Sequence, residues 1–253
     1  MSAAFEPSSY SPRAELLAGR VILLTGASGG IGRALALACA RVGATVALSG
    51  RTLEPLEHVY DEIVAAGLPQ PALLPLDLAT AVAGDYDATA TALQQAFGRL
   101  DGLVHCAALL MARSPLAHHD VPAWCRVLHV NLTAAFILTQ VCLPLLEASA
   151  DASLLFTTSG VGIRGKAYWG AYAVSKFGTE GLAQVLADEY QGRPHLRINL
   201  VNPGPVRTRL RALAYPAEDA ARLATPADIT ATYLYLLGPD SVGVSGRRFD
   251  CQP

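Results

Sequence analysis

Short apolar segments alternate with longer segments of helical pattern along almost the whole chain. The short segments are nearly continuous in Val, Leu and Ile, which is typical of parallel strands that are covered on both faces. They predict seven strands, of which the last is weakly marked, at residues 20–25, 45–49, 72–76, 102–106, 153–158, 196–201 and 247–250.

Between the predicted strands, apolar residues recur at the spacing of one helical face, as Ile31, Leu35, Ala38 and Val42 do. Strict alternation of strands and helices predicts a single-domain α/β fold of the Rossmann type, with a doubly wound parallel sheet and helices on both faces. Residues 19–253 are assigned to this domain, and residues 1–18 are expected to form a loosely structured N-terminal arm. Besides the first helix, further helices are predicted at about residues 52–66, 88–97, 121–148, 170–191 and 226–237.

Composition narrows the class of partner. The chain has 19 Lys and Arg against 21 Asp and Glu, with no basic run, so we expect neither a nucleic-acid partner nor a membrane surface. Five widely spaced cysteines without a Cys-x-x-Cys pair predict no metal site and reduced thiols in a cytoplasmic protein. Residues 127–146 carry no charge and are as long as a membrane span, but Asn131, Gln140 and Pro144 favour a buried helix.

The first predicted strand runs into a glycine-rich turn that opens the first helix. Glycines let the backbone approach a phosphate closely, and the N-terminus of a helix attracts its negative charge. A strand, glycine turn and helix are shared by P-loops and dinucleotide sites, but no Gly-Lys-Ser/Thr follows, which disfavours a P-loop. The turn therefore predicts a dinucleotide site with cofactor contacts from Gly26, Ser28, Gly30, Ile31 and Gly32.

The end of the second predicted strand indicates which dinucleotide binds. Proteins that prefer NAD place Asp or Glu there, to bind the ribose 2′-hydroxyl. Here the segment reads Ser-Gly-Arg-Thr, and Arg51 is suited to a 2′-phosphate. NADP(H) is therefore predicted in preference to NAD(H), while a solvated arginine at a strand end remains the alternative.

Three side chains near the fifth strand could carry proton transfer. Ser159 follows that strand, and Tyr172 and Lys176 are four residues apart on the next helix, which places them on one face. We expect the ammonium to lower the pKa of the phenol, so that Tyr172 exchanges a proton near neutral pH while Ser159 binds the same oxygen. A Tyr/Lys pair alone is more often a solvated surface pair, but these residues share the carboxyl edge of the sheet with the glycine turn.

These motifs resemble the short-chain dehydrogenase/reductase family over nearly the whole chain. The resemblance implies that Ser159, Tyr172 and Lys176 form the catalytic core, and that Asn131 holds a water in a proton relay to the lysine. It further implies adenine contacts from Asp77 and Leu78, and nicotinamide contacts from Pro203, Gly204, Val206 and Thr208. Segments at 169–172, 176–180, 185–190 and 225–229 are similar to the YciK-type bacterial oxidoreductases.

One segment departs from the family pattern. After strand four the family has Asn-Asn-Ala-Gly, whereas this chain reads His105, Cys106, Ala107 and Ala108. The departure removes an amide that braces the sheet and adds a methyl group beside the cofactor ribose. It predicts either a small local shift or weaker cofactor binding, and we prefer the first because the other motifs are intact.

The combined hypothesis is an NADPH-dependent oxidoreductase that interconverts a carbonyl compound and an alcohol, with Tyr172 as the general acid or base. One alternative is a 3-ketoacyl carrier-protein reductase that receives an acidic carrier on Arg207, Arg209 and Arg211. The other is a catalytically idle NADP-binding regulatory protein. A lid at about residues 205–225 and a homodimer or homotetramer are also expected. An apolar pocket wall for a small molecule is predicted from Leu109, Leu110, Met111, Val161, Ile163 and Trp169.

Overall fold

The computed structural model describes residues 10–252 and shows one seven-stranded sheet in which all strands are parallel. The strand order is β3-β2-β1-β4-β5-β6-β7. The chain thus adds β2 and β3 on one side of β1 and then β4 to β7 on the other side. The strands are β1 (Val21–Thr25), β2 (Thr45–Gly50), β3 (Ala72–Pro75), β4 (Gly102–His105), β5 (Ala152–Thr157), β6 (Leu196–Asn202) and β7 (Arg248–Asp250).

The helices lie on both faces of this sheet, as the predicted doubly wound fold requires. Buried side chains form one large apolar cluster on each face, and these two clusters contain most of the strand residues. The helices are α1 (Gly30–Arg41), α2 (Leu53–Ala65), α3 (Ala83–Phe97), α4 (Val121–Leu128), α5 (Ala134–Glu147), α6 (Gly170–Glu189), α7 (Arg209–Ala214) and α8 (Thr230–Leu237).

The predicted helix at 121–148 is wrong as one regular element. A π-helical turn (His129–Thr133) separates α4 from α5, and it contains Asn131. Together, Val121–Glu147 is long and apolar enough to cross a membrane by length and composition. In the fold its buried side chains pack against the sheet and against α6, and Asn131 is fully bonded within the domain. The segment is therefore part of the folded domain, with one side packed against it and a break at the asparagine.

Two other boundaries differ from the sequence pattern. α3 begins at Ala83 instead of residue 88, because the Asp85 side chain accepts a hydrogen bond from the Val82 amide and closes the first turn. α8 begins at Thr230 instead of residue 226, because the residues before it form a turn in which Asp228 accepts from the Thr225 amide. No strand boundary differs from its predicted position by more than one residue.

Residues 10–18, which were expected to belong to a loosely structured arm, pack on the domain. The side chain of Leu17 is completely buried, and Leu16 is nearly so. Arg13 forms an ion pair with Asp240 at 2.6 Å, and the Tyr10 hydroxyl donates to the same carboxylate at 2.8 Å. Apolar burial and this ion pair order the described part of the segment, and the remainder of the arm, residues 1–9, lies outside the described residues.

Candidate active site

A cavity of about 710 Å³ opens at the carboxyl ends of the strands, where β1 and β4 lie side by side. Ligands of open α/β sheets bind at this kind of crevice, because the loops diverge where the order of the strands reverses. Every predicted cofactor and catalytic residue except Asn131 lines it: Gly26, Ser28, Gly30, Ile31, Gly32, Arg51, Asp77, Leu78, Cys106, Ala107, Ala108, Ser159, Tyr172, Lys176, Pro203, Gly204, Val206 and Thr208.

The glycines after β1 allow a tight turn that packs closely against the neighbouring main chain. A Cβ on Gly26 would lie 3.0 Å from the main chain of Ala107, and one on Gly32 would lie 2.2 Å from the Gly26 carbonyl oxygen. Gly26 and Gly30 also have φ angles of +68° and +52°, which side-chain-bearing residues rarely adopt. The first turn of α1 carries no acidic residue, so its N-terminus can attract an anion. This cradle fits the diphosphate of a dinucleotide.

The other end of the dinucleotide cleft lies beside β2 and β3. Arg51 follows β2, lines the cavity and is exposed. Within residues 10–252 it forms no ion pair with a carboxylate, so its charge is available to a ligand. Asp77 accepts a hydrogen bond from the Ala79 amide at 3.0 Å, which holds the turn that presents the side chain of Leu78. These positions suit a 2′-phosphate and an adenine ring.

Tyr172 lies in the first turn of α6 and is 8% exposed. Burial raises the pKa of Tyr172 to about 12, while a hydrogen bond from the Ser159 hydroxyl acts in the opposite direction. The expectation of a lowered pKa for this phenol is therefore wrong. In this buried environment the loss of hydration opposes the phenolate more strongly than the neighbouring groups favour it. The tyrosine keeps its proton at neutral pH.

Lys176 lies one helical turn after Tyr172, on the same face of α6, and is 3% exposed. Its ammonium donates to the main-chain carbonyl oxygen of Thr157 at 2.7 Å, and its nitrogen is 5.8 Å from the centre of the Tyr172 ring. Burial lowers the pKa of Lys176 to about 8, whereas the charge of Glu180 acts to raise it. The ammonium is thus still the main form at neutral pH.

Asn131 lies behind the cavity wall, and its side chain has no free polar group. Its amide nitrogen donates to the Leu109 carbonyl and to the Ser175 hydroxyl, both at 3.0 Å, and its amide oxygen accepts from the Leu109 amide at 2.6 Å. The π-helical turn brings this side chain to the loop after β4, since a wider turn shifts the helix register. The asparagine therefore ties α6 to the loop that borders the cavity.

The departure at residues 105–108 has a local compensation. The Cys106 sulfur lies 3.5 Å from the Thr157 hydroxyl, so a weak cross-link between β4 and β5 takes the position of the family's amide. The Thr25 hydroxyl accepts from the amides of Cys106 and Ala107, both at 3.1 Å, and fixes the path of this loop. Burial raises the pKa of Cys106 to about 11, so the thiol stays protonated at neutral pH.

Two contributors to the site were missed in the sequence. Thr157 acts through its main-chain carbonyl, which any residue type possesses, so no sequence signal could have found it. Glu180 is a buried carboxylate that accepts from the Thr158 hydroxyl at 2.6 Å and pairs with Arg248 at 3.3 Å. Its spacing of four residues from Lys176 on one helix was the available signal.

The predicted pocket wall is only partly correct. Leu109, Leu110 and Trp169 line the cavity together with Leu210 and Leu213 of the segment after β6. Met111, Val161 and Ile163 do not, and the first and third of them are exposed at the surface. Val161 is partly buried and packs against the apolar cluster that contains Trp169 and Tyr172.

Comparison with known proteins gives the class that this fold and site define. The sequence model of the short chain dehydrogenase family matches residues 20–219. The chain belongs to the short-chain dehydrogenase family, and it is an oxidoreductase.

Particular relatives narrow this class. The chain is 49% identical over 244 residues to the oxidoreductase YciK of Escherichia coli K12, covering 96% of each chain. A short-chain dehydrogenase structure from Pseudomonas syringae is 50% identical and superimposes with a TM-score of 0.95 over 98% of this chain and 99% of that one. A structure from Escherichia coli CFT073 complexed with NADPH is 49% identical, with a TM-score of 0.93 over 96% and 100% of the two chains. The predicted resemblance to YciK-type oxidoreductases is confirmed.

Proposed function

We propose that the protein is an NADP(H)-dependent oxidoreductase that interconverts a carbonyl compound and an alcohol. The observation that carries this proposal is that one cavity contains both the glycine turn and the Ser159, Tyr172 and Lys176 group. A dinucleotide in the cradle would extend toward Tyr172, because the remaining cavity runs from the glycine turn to α6. The NADPH complex of the Escherichia coli CFT073 relative supports the same choice of cofactor.

The cofactor fits residues from five loops. Main-chain amides of the glycine turn would hold the diphosphate, and the unpaired Arg51 would bind the 2′-phosphate. Asp77 and Leu78 would contact the adenine, and the segment after β6 would hold the nicotinamide. In that segment the Thr208 methyl group lies 3.5 Å from the Cβ position of Gly30, so the two cofactor-binding segments meet across the cavity. The loop formed by Cys106, Ala107 and Ala108 would border the ribose.

Proton transfer is assigned to this chain's own residues. The cofactor, when bound, supplies or accepts the hydride. Tyr172 is neutral at pH 7 and would donate its phenolic proton to the carbonyl oxygen as that oxygen gains negative charge. Ser159, already hydrogen-bonded to the phenol, would donate to the same oxygen and stabilise its charge.

Lys176 and Asn131 would act through their neighbours. The Lys176 ammonium is held by the Thr157 carbonyl and would stabilise the phenolate after Tyr172 has lost its proton. Asn131 is a positioning residue, since its amide joins Leu109 to Ser175. Both hydrogens of its amide are donated within the domain, so a water of a proton relay would bind here only through the oxygen acceptors of the residue.

We also propose that the chain forms a homodimer or homotetramer and works in the cytoplasm without nucleic-acid or membrane partners. Apolar side chains on α5 and α6 support the assembly, because Phe136, Val174, Phe177 and Val185 are 44% to 56% exposed. Exposed apolar residues grouped on long helices are typical of protein interfaces. The proposed lid at about residues 205–225 contains α7, and a β-bridge between Val206 and Ala224 holds the two ends of this segment together.

Thermal-shift titration with NADP and NAD tests the cofactor, since, at equal concentration, a ligand that binds the folded state more tightly raises Tm further. A panel of aldehydes and ketones with the preferred cofactor then tests the reaction. We expect the larger shift with NADP and NADPH oxidation by at least one carbonyl compound. A larger shift with NAD would refute the role of Arg51, and NADPH binding without turnover of any panel member would favour the regulatory alternative.

A further inference from the structure

Three loops from the carboxyl edge of the sheet meet at one aromatic side chain beside the cavity. Tyr215, at the end of α7, has the Arg113 guanidinium 4.9 Å from its ring centre. The Arg211 guanidinium lies 4.0 Å from the same ring centre. The Lys166 ammonium is 5.3 Å from it and donates to the Tyr215 hydroxyl at 2.8 Å. The loops after β4, β5 and β6 thus each contribute one cation, and we call Arg113, Lys166, Arg211 and Tyr215 the cationic rim.

The charge of the cationic rim is only partly neutralised. Arg211 forms two hydrogen bonds of 2.6 Å with the carboxylate of Glu218, so this pair has no net charge. Among residues 10–252, neither Arg113 nor Lys166 forms an ion pair. An aromatic ring attracts a cation but does not cancel its charge. Two positive charges therefore remain uncompensated around one ring.

The cationic rim lies at the Tyr172 end of the cavity. The Arg113 guanidinium is also 5.6 Å from the ring centre of Trp169, and Trp169 lines the cavity. The Trp169 and Tyr172 ring centres are in turn 5.6 Å apart. Trp169 therefore connects the proposed proton donor to the cationic rim. Its indole N–H has no hydrogen-bond partner within the described chain, although the side chain is buried.

We propose that the carbonyl substrate carries an anionic group, a carboxylate or a phosphate, that binds to Arg113 and Lys166. This inference rests on the proposed function, because it assumes that Tyr172 faces the reacting carbonyl. The anion would be separated from that carbonyl by an apolar spacer about as long as an aromatic ring, packed against Trp169 and the leucines of the cavity wall. Since both cations are exposed, the contact contributes to the rate of encounter as well as to affinity and is weakened by salt.

Matched pairs of ligands test this charge preference. One pair is 4-carboxybenzaldehyde and its neutral methyl ester, methyl 4-formylbenzoate, and 4-formylphenyl phosphate extends the series to a phosphate. Binding to the full chain saturated with NADP is measured by calorimetry, which needs no turnover. We expect at least one anionic member to bind about tenfold more tightly than the ester at low salt, with a smaller difference at high salt. Comparing the carboxylate with the phosphate identifies which anion the rim prefers.

Variants test whether Arg113 and Lys166 cause the preference for an anionic ligand. The double variant Arg113→Gln/Lys166→Gln is expected to lose the preference for the anion while binding the neutral ester as the wild type does. The control is Arg222→Gln, which removes an exposed positive charge from the lid segment. It should keep the preference. Circular dichroism and the NADP affinity of each variant show that the fold and the cofactor site are retained.

Three results would overturn the proposal: equal affinity for the ester and both anions, absence of anion binding, or a preference that persists in the double variant. Tight binding of a ketoacyl carrier protein without binding of free anions would also overturn it, in favour of a macromolecular substrate. A different result would show that the proposed function fails while the anion site is present: the anions bind through Arg113 and Lys166, but no carbonyl compound is reduced with NADPH.

Discussion

The Lys176 ammonium and the Thr157 main-chain carbonyl form a hydrogen bond of 2.7 Å that joins α6 to the end of β5. The carbonyl oxygen cannot move independently of the sheet, so it fixes the charge beneath the ring of Tyr172. Both side chains are buried, and the loss of hydration lowers the pKa of Lys176 to about 8 and raises that of Tyr172 to about 12. At pH 7 the phenol is therefore neutral, and the ammonium keeps its charge although its pKa is lowered.

The lowered pKa of Lys176 predicts a specific dependence of stability on pH. Between about 8 and the ordinary value of 10.5, the unfolded chain holds more protons at this lysine than the folded chain does. The free energy of unfolding of the wild type should therefore rise with pH in this window, and the cost of the buried charge is fully present below it. Lys176→Met removes the contribution.

Urea unfolding of the cofactor-free protein checks this expectation. Relative to Lys176→Met, the wild type should gain roughly 2 kcal/mol between about pH 7.5 and pH 9.5. Tyr172 is present in both proteins, so its own ionisation cancels in the comparison. A difference between the two proteins that stays constant across this window would show that burial does not depress the pKa of the lysine.

Glu180 should tune the pH range of activity through Lys176. Its carboxylate favours the ammonium, so Glu180→Gln is expected to lower the pKa of Lys176 and shift the alkaline limb of the kcat profile to lower pH. Arg248→Gln breaks the same ion pair but leaves the negative charge, and it provides the matched control. That variant should leave the limb in place or shift it to higher pH. Equal downward shifts in both variants would mean that the ion pair acts only through the fold.

Arg51 should determine the choice between the two dinucleotides. Removing a charged hydrogen bond to a phosphate predicts that Arg51→Gln weakens NADPH binding about tenfold and leaves NADH binding nearly unchanged. Arg33→Gln is the matched control, because Arg33 lies on α1 and pairs with Glu62. Fluorescence titration of both nucleotides measures the affinities. If Arg51→Gln weakened NADPH and NADH equally, the arginine would not be a 2′-phosphate ligand.

Much of the fold could be predicted because its strands are buried on both faces. Segments such as β1 and β5 are mostly apolar and are buried at every position. The candidate site was predictable for a related reason. Its glycines and polar side chains follow the strands at one edge, so the topology alone brings them to one cavity.

The remainder depends on three-dimensional contacts that sequence spacing does not encode. The π-helical turn places Asn131 against Leu109 and Ser175, which are distant in the sequence. The pKa of Tyr172 was predicted in the wrong direction, because spacing shows the neighbouring charge but not the loss of water. The cationic rim likewise joins residues of three separate loops around Tyr215.

The role of Tyr172 as proton donor is the central claim, and Tyr172→Phe tests it most directly. The variant keeps the ring beside Trp169 and removes only the hydroxyl, while Tyr168→Phe, at an exposed tyrosine on the preceding loop, is the control. With the best carbonyl substrate of the panel, kcat for NADPH oxidation should fall by at least about 100-fold in Tyr172→Phe and stay near the wild-type value in Tyr168→Phe. NADPH affinity should be unchanged in both. Near wild-type turnover by Tyr172→Phe would contradict the proposed mechanism.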